Sequence, residues 1–295
     1  MPFGPTSNIQ NMSHLIIGAT GKSGEAVVRQ LAGSGLPVRA AGRDAEKVRR
    51  HFGALPVEPV AFDFGEAGSY ARALANVSHV FFIAPPNATD SGPVERFLAE
   101  AVRSGVQHLT FHSGRTTGDI AGRPLNNIEK LVAASGLSYT ILRPGWFMQN
   151  FGTWFLHDLR DEGKLYLPAG RSKSAFVDVR DTAAVVERTF TEPIHDGHTY
   201  ELTSDQALDH YEVAALFTRI LHRKIEYVEL SPEEYIAREL AQGHSESAAR
   251  FTVGLYEIVK TGKEAHISPD IPNILGRPPI RLEQYIEDFA DLWER

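Results

Sequence analysis

The chain has 295 residues, 42% of them hydrophobic and 23% charged, ordinary values for a globular protein with one large domain and a smaller appended lobe. A net charge of −7 argues against nucleic-acid binding as the main task, and zero cysteines exclude disulfides, thiolate metal sites and a cysteine nucleophile. No apolar run approaches the ~20 residues that span a bilayer, so no membrane partner is expected, and the composition fits a cytoplasmic location.

Residues 1–12 are polar, lack the basic and apolar regions of a signal peptide, and read as a disordered extension with Met12 as an alternative start. The apolar run His14-Leu15-Ile16-Ile17 predicts a strand that runs into Gly18-Ala19-Thr20-Gly21-Lys22-Ser23-Gly24 and then into an amphipathic helix from Glu25 to Leu31. A strand turning into a helix on three glycines makes a cradle for a dinucleotide pyrophosphate. One glycine permits the turn, the missing Cβ lets amides approach the phosphates, and the third lets the helix sit close to the sheet. The spacing is G-x-x-G-x-x-G, and glycines also serve ordinary turns, so the strand–turn–helix context carries the reading. Gly18, Thr20, Gly21, Lys22, Ser23 and Gly24 are the cofactor residues expected there.

Strands are then expected at 37–41, 57–62, 80–84, 107–112 and 138–142, and helices at 44–51, 67–75, 93–104 and 124–135. This alternation with short connections predicts an α/β fold whose doubly wound parallel sheet binds ligands at the carboxyl ends of its strands. At the end of the second strand stands Arg43, where an acidic residue would suit the ribose hydroxyls of NADH and a basic one suits a 2′-phosphate. NADPH is therefore the expected cofactor, with NADH left open; a solvated strand-end arginine is the plainer alternative. Asp44 is read as a helix N-cap, and Asp63 as an acceptor for the adenine amino group. Ala84, Pro85 and Pro86 after the fourth strand are placed to wall the nicotinamide ribose, with a rigid turn the plainer alternative, and Pro144 after the sixth is a further cofactor-binding candidate.

His112 and Ser113 end the fifth strand and are the catalytic candidates, with His112 expected to donate a proton near neutral pH. The bland alternative is a histidine that satisfies loop carbonyls. Trp146-Phe147-Met148-Gln149-Asn150-Phe151 would suit a flat aromatic guest, with Trp146, Phe147 and Asn150 the substrate-binding candidates and core packing the alternative.

Beyond about residue 150 the rhythm breaks. A first domain over 13–150 is expected to be followed by a smaller, mostly helical substrate lobe over 151–295, some of whose segments return to the sheet. Turns are expected at 164–174, strands at 176–179, 199–203 and 224–230, and helices at 180–190, 209–222, 232–242, 245–261 and 281–293. The pair His195 and His198 has a metal-like spacing but no third ligand, so no metal site is expected.

Taken together, the glycine segment Gly18–Gly24, the run Gly136-Leu137-Ser138-Tyr139-Thr140-Ile141-Leu142-Arg143-Pro144-Gly145, Phe176-Val177-Asp178-Val179-Arg180-Asp181 and Leu275-Gly276-Arg277-Pro278-Pro279 resemble the NmrA-like group of atypical short-chain dehydrogenase/reductases. The resemblance covers nearly the whole chain from Ser13 and implies a Rossmann fold with bound NADP(H). It also implies a reductase of quinones, azo compounds or triphenylmethane dyes, or a nucleotide-sensing regulator. Extended members of the superfamily use Tyr-x-x-x-Lys, and registering Glu129 and Ser135-Gly136 on that pattern puts Ala121 and Leu125 at those positions. Lys130 lies five positions out of register and is expected at the surface.

The expectation is therefore hydride transfer from NADPH to a planar, electron-poor aromatic acceptor such as a quinone or azo compound. An NADP(H)-sensing regulatory protein without turnover, and a reductase or isomerase of specialised metabolism, are the alternatives. A small aromatic molecule is the expected partner, with a homodimer left open.

Overall fold

The computed structural model describes residues 12–85, 90–115 and 120–294. Two compact units are present: one formed by the chain up to Pro144 together with Val179–Glu201, the other by Gly145–Asp178 and the chain from Leu202 onward.

In the first unit strands and helices alternate as β1 (Ser13–Ile17), α1 (Lys22–Gly33), β2 (Val38–Gly42), α2 (Ala45–Phe52), β3 (Val57–Ala61), α3 (Tyr70–Leu74), β4 (Val77–Ile83), α4 (Gly92–Arg103), β5 (His108–His112), α5 (Pro124–Ala133) and β6 (Ser138–Pro144). Two later elements, α6 (Val179–Thr191) and β8 (His198–Leu202), complete it. The sheet order is β3-β2-β1-β4-β5-β6-β8, and β1 pairs in parallel with both β2 and β4. The order reverses direction between β1 and β4, the place where open α/β sheets leave a crevice at their carboxyl edge. One face buries a cluster of aromatic rings, with Phe82 stacked on Phe111 at 4.7 Å and Phe97 edge-on to Phe62 and Phe64 at 5.4 Å. On the helices α1 and α6 an amide–carboxylate bond joins Gln30 to Glu187 at 2.6 Å. The doubly wound parallel architecture expected from the alternation is the one observed.

The second unit contains a two-stranded parallel sheet, β7 (Lys164–Leu167) with β9 (Glu226–Glu229), and the helices α7 (His210–Ile220), α8 (Pro232–Ala241), α9 (Glu246–Lys260), α10 (Asp270–Leu275) and α11 (Leu282–Asp288). Capping boxes start α7 at Asp209 with Glu212 and α8 at Ser231 with Glu234, which satisfies the first-turn amides that a helix leaves open. Its core gathers Phe151, Phe217, Tyr285 and Trp293, and the Trp293 indole donates to the Phe151 carbonyl at 3.1 Å. Two local expectations change here. Residues 176–179 form a single bridge from Val177 to Phe147 in place of a strand: Val177 bonds Trp146 and Met148, while the Phe176 carbonyl accepts from Ser204 in a different segment. Residues 164–167, read as turns, make a strand because β9 supplies its ladder.

The chain passes from the first unit to the second at Pro144/Gly145, and 179–201 belongs with the sheet. Backbone bonds explain this: Gly145 donates to Leu202 at 2.9 Å and Val177 to Trp146 at 2.8 Å, tying 145–147 to the second unit. Among the described residues no helix is long and apolar enough to cross a membrane.

Candidate functional site

At the end of β1 the chain reverses at Gly18, whose φ of +81° suits a residue without a Cβ. The amide of Gly21 donates to the Gly18 carbonyl at 3.0 Å, closing a tight turn, and Gly21 then starts α1 with no side-chain cap. A Cβ at Gly24 would lie 2.1 Å from the Gly18 oxygen, so the helix reaches this depth only because position 24 is glycine. Uncapped first-turn amides and the positive end of the helix dipole are features that could hold an anion here. Thr20 and Gly21 face solvent and Ser23 is buried. Lys22 is partly buried, and that burial pushes its ammonium down to about 8.

A cavity of about 410 Å³ lies at the carboxyl ends of β2 and β3, with Arg43, Phe62, Asp63, Glu66, Ser69 and Arg72 in its wall. Arg43 and Asp63 are thus brought together, as a nucleotide's adenosine end would require. Asp44 serves as the N-cap of α2, accepting from the amides of Glu46 at 2.9 Å and Lys47 at 3.1 Å. Asp63 accepts from the amide of Gly65 at 2.8 Å, which fixes the carboxylate in its own turn. Ala84 and Pro85 follow β4 and are partly buried, while Pro86 lies outside the described residues.

The end of β5 departs from expectation in two ways. His112 is buried, with its ring edge-on to Phe81 at 5.8 Å, and burial pushes its pKa down to about 4. The imidazole is therefore uncharged at neutral pH, which corrects the expectation that it supplies an acidic proton there. The Ser113 hydroxyl donates to Glu129 at 2.5 Å, and the same carboxylate receives Nε and Nη2 of Arg143 at 3.0 and 2.6 Å. Ser113 is thus one member of a buried network that joins β5, α5 and β6, and its proton is directed at Glu129. Glu129 and Arg143 were not among the expected site residues. No spacing rule joins a glutamate in a helix to an arginine near a strand end, although both are charged residues next to apolar runs. Ala121 is exposed ahead of α5, Leu125 packs partly against the core of the first unit, and Lys130 is exposed.

Pro144 is buried at the end of β6, and the next residue, Gly145, could not carry a Cβ without meeting the Ala175 carbonyl oxygen at 2.6 Å. Trp146 and Phe147 are partly buried and Asn150 is buried in the second unit. The Trp146 ring lies 5.0 Å from that of Tyr256, and Trp154 is exposed. In the turn before β8, His195 is buried with its Nδ1 3.0 Å from the Tyr200 hydroxyl, and Asp196 lies 2.8 Å from Nδ1 of His108. Among the described residues, His157, Asp158 and Glu162 bring potential ligand atoms within 4.8 Å of one another, but Arg238 holds both carboxylates at 2.7 and 3.1 Å.

Comparison with known proteins places this arrangement. The model of the NmrA-like family matches residues 11–257. An NAD(P)H azoreductase of Xenophilus azovorans is 32% identical over 280 residues, which cover 94% of this chain and 97% of that protein. An NADPH-dependent quinone oxidoreductase of Escherichia coli, solved with NADPH, superposes with a TM-score of 0.82 at 23% identity over 95% of this chain and 100% of that one. The triphenylmethane reductase of Citrobacter sp., complexed with NADP(H), superposes with a TM-score of 0.79 at 23% identity over 94% and 99% of the two chains. The structural likenesses establish a shared Rossmann-type fold. With the family model spanning most of its length, the chain belongs to the NmrA-like family.

Proposed function

We propose that the protein is an NADPH-dependent reductase that transfers hydride to a planar, electron-poor aromatic acceptor, a quinone or an azo compound. The observation that carries this reading is the Gly18–Gly24 turn, where Gly24 lets α1 pack against the Gly18 carbonyl and Gly21 starts the helix with no side-chain cap, so that its first-turn amides suit a phosphate. The 32% identity to an NAD(P)H azoreductase supports it.

The residues present fit such a cofactor. The backbone of Gly18, Thr20, Gly21, Ser23 and Gly24, with the Lys22 ammonium, would hold the pyrophosphate. Arg43 would meet the 2′-phosphate and Asp63 the adenine amino group, with Ala84, Pro85 and Pro144 at the nicotinamide ribose. When bound, the nicotinamide supplies the hydride. The chain's own residues then have three tasks. Glu129 and Arg143 fix Ser113 and with it the end of β5. His112, uncharged, offers a hydrogen bond to a polar atom. Trp146, Phe147 and Asn150 receive the flat acceptor.

With alanine and leucine at 121 and 125, the tyrosine–lysine pair that acidifies a proton donor in related dehydrogenases is not expected to operate. Quinones and azo bonds accept hydride without a strong built-in acid, and water can protonate the product afterwards. The test is NADPH oxidation, followed by the loss of the reduced nicotinamide's absorbance, with a panel of quinones, azo dyes and cationic dyes. Turnover with at least one acceptor is expected. Tight NADPH binding with no oxidation across the panel would replace this reading with a nucleotide-sensing one.

A further inference from the structure

The cavity at the ends of β2 and β3 holds two arginines. Arg43 follows β2, and Arg72 rises from α3 on the opposite side of Asp63 in sequence. Both are exposed, and among the described residues neither guanidinium makes a hydrogen bond, ion pair or ring contact. We propose that Arg72 is a specificity-determining residue that binds the 2′-phosphate of NADPH together with Arg43. This rests on the reading of the protein as an NADPH-dependent reductase.

The backbone beneath Arg72 is anchored to the same strands that carry Arg43 and Asp63. Arg39, on β2, donates to the carbonyl oxygens of Arg72 at 3.2 Å, Ala73 at 3.1 Å and Ala75 at 2.7 Å, and it forms a two-pronged pair with Glu58 of β3 at 2.8 and 3.0 Å. At the other end of α3, the Tyr70 hydroxyl donates to the Phe64 carbonyl and its ring stacks on Phe62 at 5.6 Å. Ser69 closes the turn between them, accepting from the Asp63 amide at 3.2 Å and donating to the Glu66 carbonyl at 2.7 Å. The contrast between the two kinds of arginine is informative. Arg39 spends its donors on protein groups, whereas Arg43 and Arg72 line the cavity and are exposed.

A phosphate monoester near neutral pH carries between one and two negative charges and three acceptor oxygens, which two guanidinium forks can share. The ribose hydroxyl of NADH carries no charge, so it gains little from either fork. The carboxylates in the same wall favour a defined orientation. Asp63, held by the Gly65 amide, presents an acceptor that suits an amino donor such as that of adenine, while the dianion is drawn to the arginines. Charge-assisted contacts of this kind are worth roughly tenfold or more in affinity when partly screened by solvent.

The experiment is calorimetric titration of the full chain and of R72A, R72K and R43A with NADPH, NADH, 2′,5′-ADP and 5′-AMP. A thermal melt of each variant verifies that it is folded. The last two ligands differ only in the 2′-phosphate. The proposal expects R72A to weaken NADPH and 2′,5′-ADP by about tenfold or more while NADH and 5′-AMP stay within about twofold, with R72K intermediate because lysine keeps the charge and loses the fork. A folded R72A that binds 2′,5′-ADP as tightly as the parent overturns it. An equal loss for all four ligands also overturns it, since Arg72 would then be supporting the base or the cavity wall. If the parent chain binds neither NADPH nor 2′,5′-ADP, the reductase reading itself fails. If the parent prefers NADPH and R72A leaves that preference intact, only the role of Arg72 fails.

Discussion

Three histidines stand side by side across the sheet of the first unit, and they set how the protein should respond to acid. The register places His14 of β1 against His79 of β4, and His79 against His108 of β5. Their ring centroids are 5.3 and 5.9 Å apart, and Phe190 of α6 lies 5.4 Å from His14 and 5.2 Å from His79. His14 donates through Nδ1 to the Pro37 carbonyl at 3.0 Å, His79 meets the Ser78 hydroxyl at 2.8 Å, and His108 meets Asp196 at 2.8 Å.

Burial lowers the pKa of all three, and His79 falls to about 4 because its two imidazole neighbours add to the desolvation while Asp196 opposes it only in part. A fall from 6.5 to about 4 is worth up to about 3 kcal/mol, and about 2 kcal/mol after allowing for the partial exposure of the ring. The folded-state pKa is depressed, so the protein has this stability in full above about pH 6.5. It loses the stability as the unfolded chain takes up protons that the folded one refuses, down to about pH 4.

The perturbation is His79→Phe, which keeps an aromatic ring between His14 and His108. Urea unfolding between about pH 7 and pH 5 isolates the histidines, because the carboxylates of Glu162, Glu192, Glu212 and Glu234 are held below their usual range and act at lower pH. Over that window the loss of unfolding free energy in the variant should be smaller than in the parent by about 1 kcal/mol or more. Parallel pH dependences in the two proteins would refute the reasoning.

Lys22 titrates near pH 8 in the free protein, and a bound pyrophosphate favours its charged form, so NADPH affinity should fall as the pH rises above about 8. Calorimetry across that range should show the fall in the parent and a flat response in Lys22→Met. Gly24→Ala puts a Cβ against the Gly18 carbonyl oxygen, and α1 must retreat. We expect NADPH affinity to drop more than about tenfold, with a stability loss of about 1–3 kcal/mol on chemical denaturation. Glu129→Ala removes the carboxylate paired with the partly buried Arg143 guanidinium and should cost about 3 kcal/mol. The double variant Glu129→Leu with Arg143→Met, which removes both charges, should recover much of that loss in the same denaturation assay.

Much of the first unit was readable one residue at a time. The apolar strands, the amphipathic helices and the three glycines between Ile17 and Glu25 are local patterns, because the period of a strand or helix and the steric demand of a turn act over a few residues. Asp44 as an N-cap is equally local, and the structure realises it. Arg43 and Asp63 could be placed at the carboxyl edge because parallel strands all end there.

What the chain order concealed are the meetings between distant residues. The bonds from Ser113 to Glu129 and from Glu129 to Arg143, the histidine row on β1, β4 and β5, and the shared cavity of Arg43 and Arg72 each depend on how separate elements pack. The charge state of His112 belongs with them, since the desolvation that lowers its pKa comes from the whole surrounding core. The strand at 164–167 likewise exists because its partner arrives some sixty positions later, at 226–229. Sequence by itself determined the elements, the sheet and the glycine turn between β1 and α1, whose causes are short-range. The tertiary structure alone decided which charges meet, which are buried and where the units divide, because those energies depend on distances that the covalent chain does not encode locally.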